Sequence, residues 1–222
     1  FRSPDSYVLP LRELVREGRI PMRVIDERVR DILRVKFLVG LFDNPYQTDY
    51  EAADREVDGP ENNAVALRAS RESLVLLKNA GNTLPLDASR LRQVAVIGPN
   101  ADETAFVHTH YGPLATEAVS VYEGLSKALG NKVRVVYEKG CELVDADWPL
   151  SEILPTEPAE EELAMIRRAV EAARASDVGV VVVGGGPRPC GENKSRTSLD
   201  LPGRQELLLR EVHKVGKPMV VV

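Results

Sequence analysis

Four short apolar runs constrain this chain more than any other feature. They are Val94-Ala95-Val96-Ile97, the segment from Val133 to Tyr137, the run from Val178 to Val183, and the closing Pro218-Met219-Val220-Val221-Val222. A strand with one face in water alternates apolar and polar side chains, whereas a continuous Val/Ile run requires cover on both faces. Segments of helical character separate the runs. One lies near 119–129 and stops at Gly130. A second spans about 159–175, with Leu163, Ile166, Ala169, Val170 and Ala173 on one side, and a third lies near 203–214. Strands alternating with amphipathic helices predict a parallel sheet with helices on both faces. Ligands of such sheets meet the loops at the carboxyl ends of the strands. Three loops qualify here: Gly98 to Asp102, Gly140 to Asp145, and Gly184 to Arg196.

The first sixty residues read differently. Helices are predicted over 7–18 and 22–38, the second opened by Pro21 and carrying Val24, Ile25, Val29, Ile32, Leu33 and Val35 at helical spacing. Gly40 suits the stop. A polar stretch from Asp43-Asn44-Pro45-Tyr46 to about Pro60 marks a boundary, and a helix is predicted over 61–78. A formal net charge of −5 argues against nucleic acid as a partner. No apolar run approaches the roughly 20 residues of a membrane span. Cys141 and Cys190 are too few for a disulfide framework and lack metal-ligand spacing, so free thiols are expected. The start at Phe1 without Met and the end within a strand-like run read as a fragment cut at both ends.

The third loop, Gly184-Gly185-Gly186-Pro187-Arg188-Pro189-Cys190-Gly191-Glu192-Asn193-Lys194-Ser195-Arg196, is the longest and richest in reactive groups. As a phosphate cradle it fails. Gly186 and Gly191 have P-loop separation, but Lys194 and Ser195 come two residues late, with a carboxylate between. The following helix starts near 202–203, too far on for its amides to hold a phosphate at Gly191. The dinucleotide pattern fails as well, because its last glycine position is Pro189. The prolines stiffen the loop while the glycines let it leave the strand sharply. That shape projects Glu192 beyond the sheet edge. From the residues alone, a solvated Glu192 beside Lys194 and Arg196 is the favoured reading.

Four segments together resemble family 3 glycoside hydrolases, the β-glucosidase and β-xylosidase group. They are Arg30-Asp31-Ile32-Leu33-Arg34-Val35-Lys36-Phe37 with Gly40-Leu41-Phe42-Asp43-Asn44-Pro45-Tyr46; Glu72-Ser73-Leu74-Val75-Leu76-Leu77-Lys78-Asn79 with Thr83-Leu84-Pro85-Leu86; Val94 to Asp102; and Val180 to Gly184 with Gly191 to Gly203. The resemblance implies an α/β chain made of the C-terminal end of a TIM-like barrel followed by a mostly parallel α/β-sandwich domain, truncated at both ends. Residues 1–43 would be barrel helices, 44–65 an interdomain linker, and 66–222 the sandwich domain. It further implies a retaining, exo-acting glycosidase that releases terminal β-D-glucosyl residues, with β-xylosidase activity or a non-catalytic sugar-binding module as alternatives. The substrate would be a β-linked oligosaccharide or an aryl or alkyl β-glycoside, with no cofactor and no metal. The domain would pack on its own barrel, and the family suggests a secreted or periplasmic protein.

Glu192, three residues before Ser195-Arg196-Thr197, matches the family's general acid/base. The nucleophile, an Asp on a barrel strand, would lie upstream of Phe1, so the chain alone is expected to be inactive. Asp147-Trp148 mimics the nucleophile's dipeptide but lies between sheet elements of the second domain. An acid/base must hold its proton before attack, so Lys194 and Arg196 are expected to point away from Glu192, to substrate or to barrel carboxylates. Arg196 suits a sugar hydroxyl, a barrel carboxylate or a structural salt bridge. Asp102, just past a strand end, suits a turn hydrogen bond or a substrate contact. His108 and His110 flank Thr109 but have no evident third metal ligand, and Tyr111-Gly112-Pro113 reads as a turn near the domain interface. Aromatic residues make up only 5% of the chain, so no carbohydrate-binding aromatic platform is visible.

Overall fold

The computed structural model describes residues 4–46, 49–105 and 118–222. His108, His110 and Tyr111 lie outside the described residues. The chain divides into two compact units, Phe1–Asn62 and Asn63–Val222.

In the first unit, α2 (Met22–Leu38) fills the predicted 22–38, while α1 (Pro4–Arg16) lies two to three residues ahead of the predicted 7–18. Pro21 stands at the N-terminal cap of α2, and Gly40, at φ +69°, stops the helix. Two backbone bonds close that stop, from Gly40 N–H to Phe37 O and from Leu41 N–H to Lys36 O, both at 3.0 Å. Ile32, Phe37 and Leu38 of α2 remain exposed. A third helix, α3 (Tyr50–Glu56), lies in the polar stretch read as a boundary. Asp49 caps it by accepting the Ala52 N–H at 2.8 Å.

The helix α4 (Pro60–Ser73) begins at the division and is shorter than the predicted 61–78. From Leu74 the backbone leaves the helix. Leu74-Val75-Leu76-Leu77 is a block of four apolar residues, which on a helix would point all round rather than form a stripe. Asn79 then closes a loop, its Nδ2 donating to Leu84 O at 2.8 Å and its Oδ1 accepting from Leu84 N–H at 3.1 Å.

The second unit is built on a four-stranded sheet of order β2-β1-β3-β4: β1 (Gln93–Ile97), β2 (Arg134–Glu138), β3 (Val178–Val181) and β4 (Met219–Val221). Every neighbouring pair is parallel, with Val94 opposite both Val135 and Val178, and Val181 opposite Val221. Three further helices were legible in the apolar pattern: α5 (Val121–Leu129), α6 (Glu160–Arg174) and α7 (Gln205–His213). Ser120 caps α5 by accepting the Glu123 N–H at 3.0 Å, and Glu162 folds back to accept the Ala159 N–H at the start of α6.

Because side chains alternate along a strand, the two faces of β1 feed two cores. Ala95 and Ile97 pack with Cys141, Val181, Ile166 and Ala169 of α6, and Leu208 and Val212 of α7. Val94 and Val96 pack on the opposite face with Val178, Val180 and Val133, against Val121 and Leu125 of α5. The amino edge of the sheet is pinned by Asp177, whose carboxylate accepts the Arg92 N–H at 2.7 Å and the Gln93 N–H at 3.0 Å. Those two backbone bonds hold its pKa below the usual carboxylate range.

Candidate functional site

The carboxyl edge of the sheet is tightly built. A Cβ on Gly98 would lie 2.0 Å from Val182 O, so only glycine lets the end of β1 approach β3 this closely. Val182 N–H donates to Ile97 O at 2.7 Å, and Asn100 Nδ2 donates to Gly185 O at 3.1 Å. The loop after β3 therefore starts from a fixed point.

That loop runs from Val182 to Arg204 and is held at both ends. At its base, Gly184 N–H donates to Gln205 Oε1 at 2.7 Å, while Gln205 Nε2 donates to Gly184 O at 2.9 Å and Leu143 O at 2.8 Å. Gln205 is completely buried. At the far end, Glu152 accepts the Thr197 N–H and the Thr197 hydroxyl, both at 3.1 Å, and pairs with Arg196 Nε. Arg196 Nη2 also donates to Asp200 O at 2.8 Å. Arg204 fastens the loop's exit by donating to Glu162 Oε2 at 3.1 Å and Thr156 O at 2.7 Å.

Between these anchors the loop makes two turns. Cys190 N–H donates to Gly186 O at 2.9 Å, and Lys194 N–H donates to Gly191 O at 3.1 Å. Glu192 and Asn193 are the corner residues of the second turn. Asn193 takes φ +63°, a left-handed conformation that asparagine tolerates. Pro189 is fully buried, and the Arg188 guanidinium lies 5.9 Å from the centre of the Trp148 ring. The Glu192 carboxylate thus stands on an exposed corner of the loop.

Arg196 pairs with Glu152 of the same unit, the structural salt bridge that was one of the readings its sequence left open. Its side chain is 22% exposed and that of Glu152 8%. Burial alone would push the Glu152 carboxyl up. The Thr197 N–H, the Arg196 guanidinium and the Thr197 hydroxyl outweigh it and hold the pKa below the ordinary value. Asp102 is exposed and accepts the Ser120 hydroxyl at 2.7 Å, a bond to the residue that caps α5, eighteen positions on, rather than one within its own turn.

Cys141 is a buried free thiol, while Cys190 is exposed and also free. Among the described residues no group of three or more His, Cys, Asp or Glu is arranged to hold a metal ion. No described helix is long and apolar enough to cross a membrane. Sequence reasoning missed Glu152, Gln205 and the place of Trp148 beneath Arg188. Of these only Gln205 had a local signal, standing where the last apolar helix begins.

The fold and the loop together define a parallel α/β domain that presents a carboxylate at the carboxyl edge of its sheet. The model of the glycosyl hydrolase family 3 C-terminal domain matches residues 74–222, and the chain belongs to that family. A β-xylosidase of Formosa agariphila is 37% identical over 96% of this chain and 28% of its own length. A periplasmic β-glucosidase of Salmonella typhimurium is 33% identical over 99% of this chain and 30% of its own. Among solved structures, a β-glucosidase involved in saponin metabolism from intestinal bacteria superposes with a TM-score of 0.75 at 30% identity, covering 94% of this chain and 30% of that one. The chain spans under a third of the length of these relatives.

Proposed function

We propose that this chain is the acid/base-bearing part of a retaining, exo-acting β-glycosidase that releases terminal non-reducing β-D-glucosyl residues. Glu192 is the general acid/base. The observation that carries the reading is the loop itself: a single carboxylate on the exposed corner of a turn, with the chain fastened on both sides of it. In a retaining mechanism such a carboxyl group stands about 5 Å from a nucleophilic carboxylate across the scissile bond. It protonates the leaving oxygen in the first step and deprotonates water in the second. The pairing of Arg196 with Glu152 supports this role, because a guanidinium aimed at Glu192 would favour the unprotonated form.

The nucleophile and the sugar-holding residues would come from the barrel domain, on which this domain packs. Leu150, Ile153, Leu154 and Leu199 are all more than half exposed and are sequence neighbours of the Glu152–Arg196 anchor. Apolar surface of this kind beside the loop supports an approach to another body. The greater identity to a β-xylosidase than to a β-glucosidase keeps xylosides as the second substrate reading.

The test is Glu192→Gln in the full-length protein. Hydrolysis of cellobiose or xylobiose is expected to fall about 100-fold or more. A dinitrophenyl glycoside, whose leaving group needs no proton, should still glycosylate the enzyme, and azide should restore turnover. Equal loss on both substrates without azide rescue would sink the assignment.

A further inference from the structure

Glu192 lies only four residues from Arg196, so whatever fixes Arg196 and Thr197 also fixes how far the turn can swing. The base of the loop belongs to the sheet: Gly184 is clamped by Gln205, and Val182 still pairs with β1. On the far side Arg204 fastens the loop's exit to Glu162 and Thr156, but nearer Glu192 the described support comes from one residue. Every hydrogen bond described from Arg196 Nε and from the Thr197 amide and hydroxyl goes to the one carboxylate of Glu152. Beyond it, the hydrogen bonds described for the turn from 196 to 200 run within the turn, through Arg196 to Asp200 O and Asp200 N–H to the Ser198 hydroxyl at 2.9 Å.

Glu152 is in turn fixed from below. It ends a 3₁₀ turn (Leu150–Glu152), and the neighbouring Ser151 hydroxyl donates to buried Asp145 at 2.9 Å. Asp145 also accepts the Asp147 N–H at 3.0 Å. The segment after β2 thus forms a rigid saddle with one carboxylate directed into the loop after β3.

We propose that Glu152 is a positioning residue for Glu192, setting the reach and angle at which the acid/base carboxyl meets the leaving oxygen. It does so in two ways. It accepts from two consecutive residues, which fixes the direction of the chain as it leaves the Glu192 turn. It also neutralises and holds Arg196, one of the cations of this loop. The inference rests on the reading of Glu192 as general acid/base.

The experiment compares Glu152→Ala, Glu152→Gln and Glu192→Gln in the full-length protein, on whichever of cellobiose and xylobiose is hydrolysed and on the matching dinitrophenyl glycoside. Misplacing a reacting group by about an ångström costs on the order of 100-fold in rate. Glu152→Ala should therefore lower kcat on the disaccharide by about 10- to 100-fold while lowering glycosylation by the dinitrophenyl substrate less than about threefold. Glu152→Gln keeps the shape but loses the charge, and should show the same selectivity at about tenfold. A purely structural role would depress both substrates alike, and that result overturns the proposal. If Glu152→Ala does not fold, Glu152→Gln decides by the same criterion. Should Glu192→Gln itself fail to discriminate between the substrates, or should neither disaccharide be hydrolysed, the reading of Glu192 falls and this inference with it. Discrimination by Glu192→Gln but not by the Glu152 variants overturns the positioning role alone.

Discussion

Gln205 and Gly184, twenty-one residues apart, exchange two hydrogen bonds: the Gly184 N–H gives to Gln205 Oε1 and Gln205 Nε2 gives to Gly184 O. The same amide nitrogen reaches Leu143 O, so one buried side chain ties the loop after β3 to the loop after β2 at the first residue of α7. Burying a polar group is tolerable only when it is satisfied. Gln205→Leu would strand Gly184 N–H, Gly184 O and Leu143 O together. The expected loss is about 3 kcal/mol, since each stranded buried group costs about 1–3 kcal/mol and relaxation recovers part. Urea unfolding with an unchanged slope measures it. Gln205→Glu, equal in shape but with neither of the amide's two donors, should be similarly destabilising at neutral pH.

The exit of the loop allows a paired test of close packing. Gly203 has φ +62°, and a Cβ there would lie 2.8 Å from Asp145 N and 2.9 Å from Val144 Cα. Both are backbone atoms, so neither can step aside. Gly216 has φ +75° but open space around it. Alanine at 216 should cost about 1 kcal/mol, the strain of the left-handed conformation alone. Alanine at 203 adds a collision with the saddle and should cost about 3 kcal/mol. Equal midpoints for the two variants in a denaturant titration would refute the close approach of Gly203 to Val144 and Asp145.

These contacts mark where the sequence was readable and where it was not. Continuous Val runs must be covered on both faces, so β1 and β3 announced themselves, and Ser120 and Gly130 bracket α5 with ordinary capping chemistry. The length and glycine content of the loop after β3 were equally plain. The predicted helix over 61–78 overran into Leu74 to Leu77, four consecutive apolar residues that make no helical face. The helix α3 was missed within a polar stretch, although Asp49 followed by Glu51 is a start signal. Glu152 could not be read at all. It stands in an acidic, irregular segment, and its partners Arg196 and Thr197 are about forty-five residues away in the chain. Pairings of that kind belong to the fold and leave no periodic trace.

Cys141 and Cys190 should differ sharply in reactivity. Cys141 is 1% exposed within the core formed by β1, α6 and α7, and burial, with help from Glu142, pushes its pKa up to about 12. Only thiolate is nucleophilic, so iodoacetamide at pH 8 should modify exposed Cys190 and spare Cys141 until the protein unfolds. The same burial makes stability fall in alkali. Above the thiol's ordinary pKa of 9.0 the unfolded chain loses this proton while the native state keeps it up to about 12. The contribution is fully present below pH 9 and is lost as pH rises through that window, at up to about 1.4 kcal/mol per pH unit. Tyr137 acts in the same direction at higher pH, because burial first and then Asp102 raise its pKa as well. The difference between the wild type and Cys141→Ala therefore isolates the thiol. The variant's unfolding free energy should decline less steeply between pH 9 and 11, and parallel declines would show that Cys141 ionises freely in the native state.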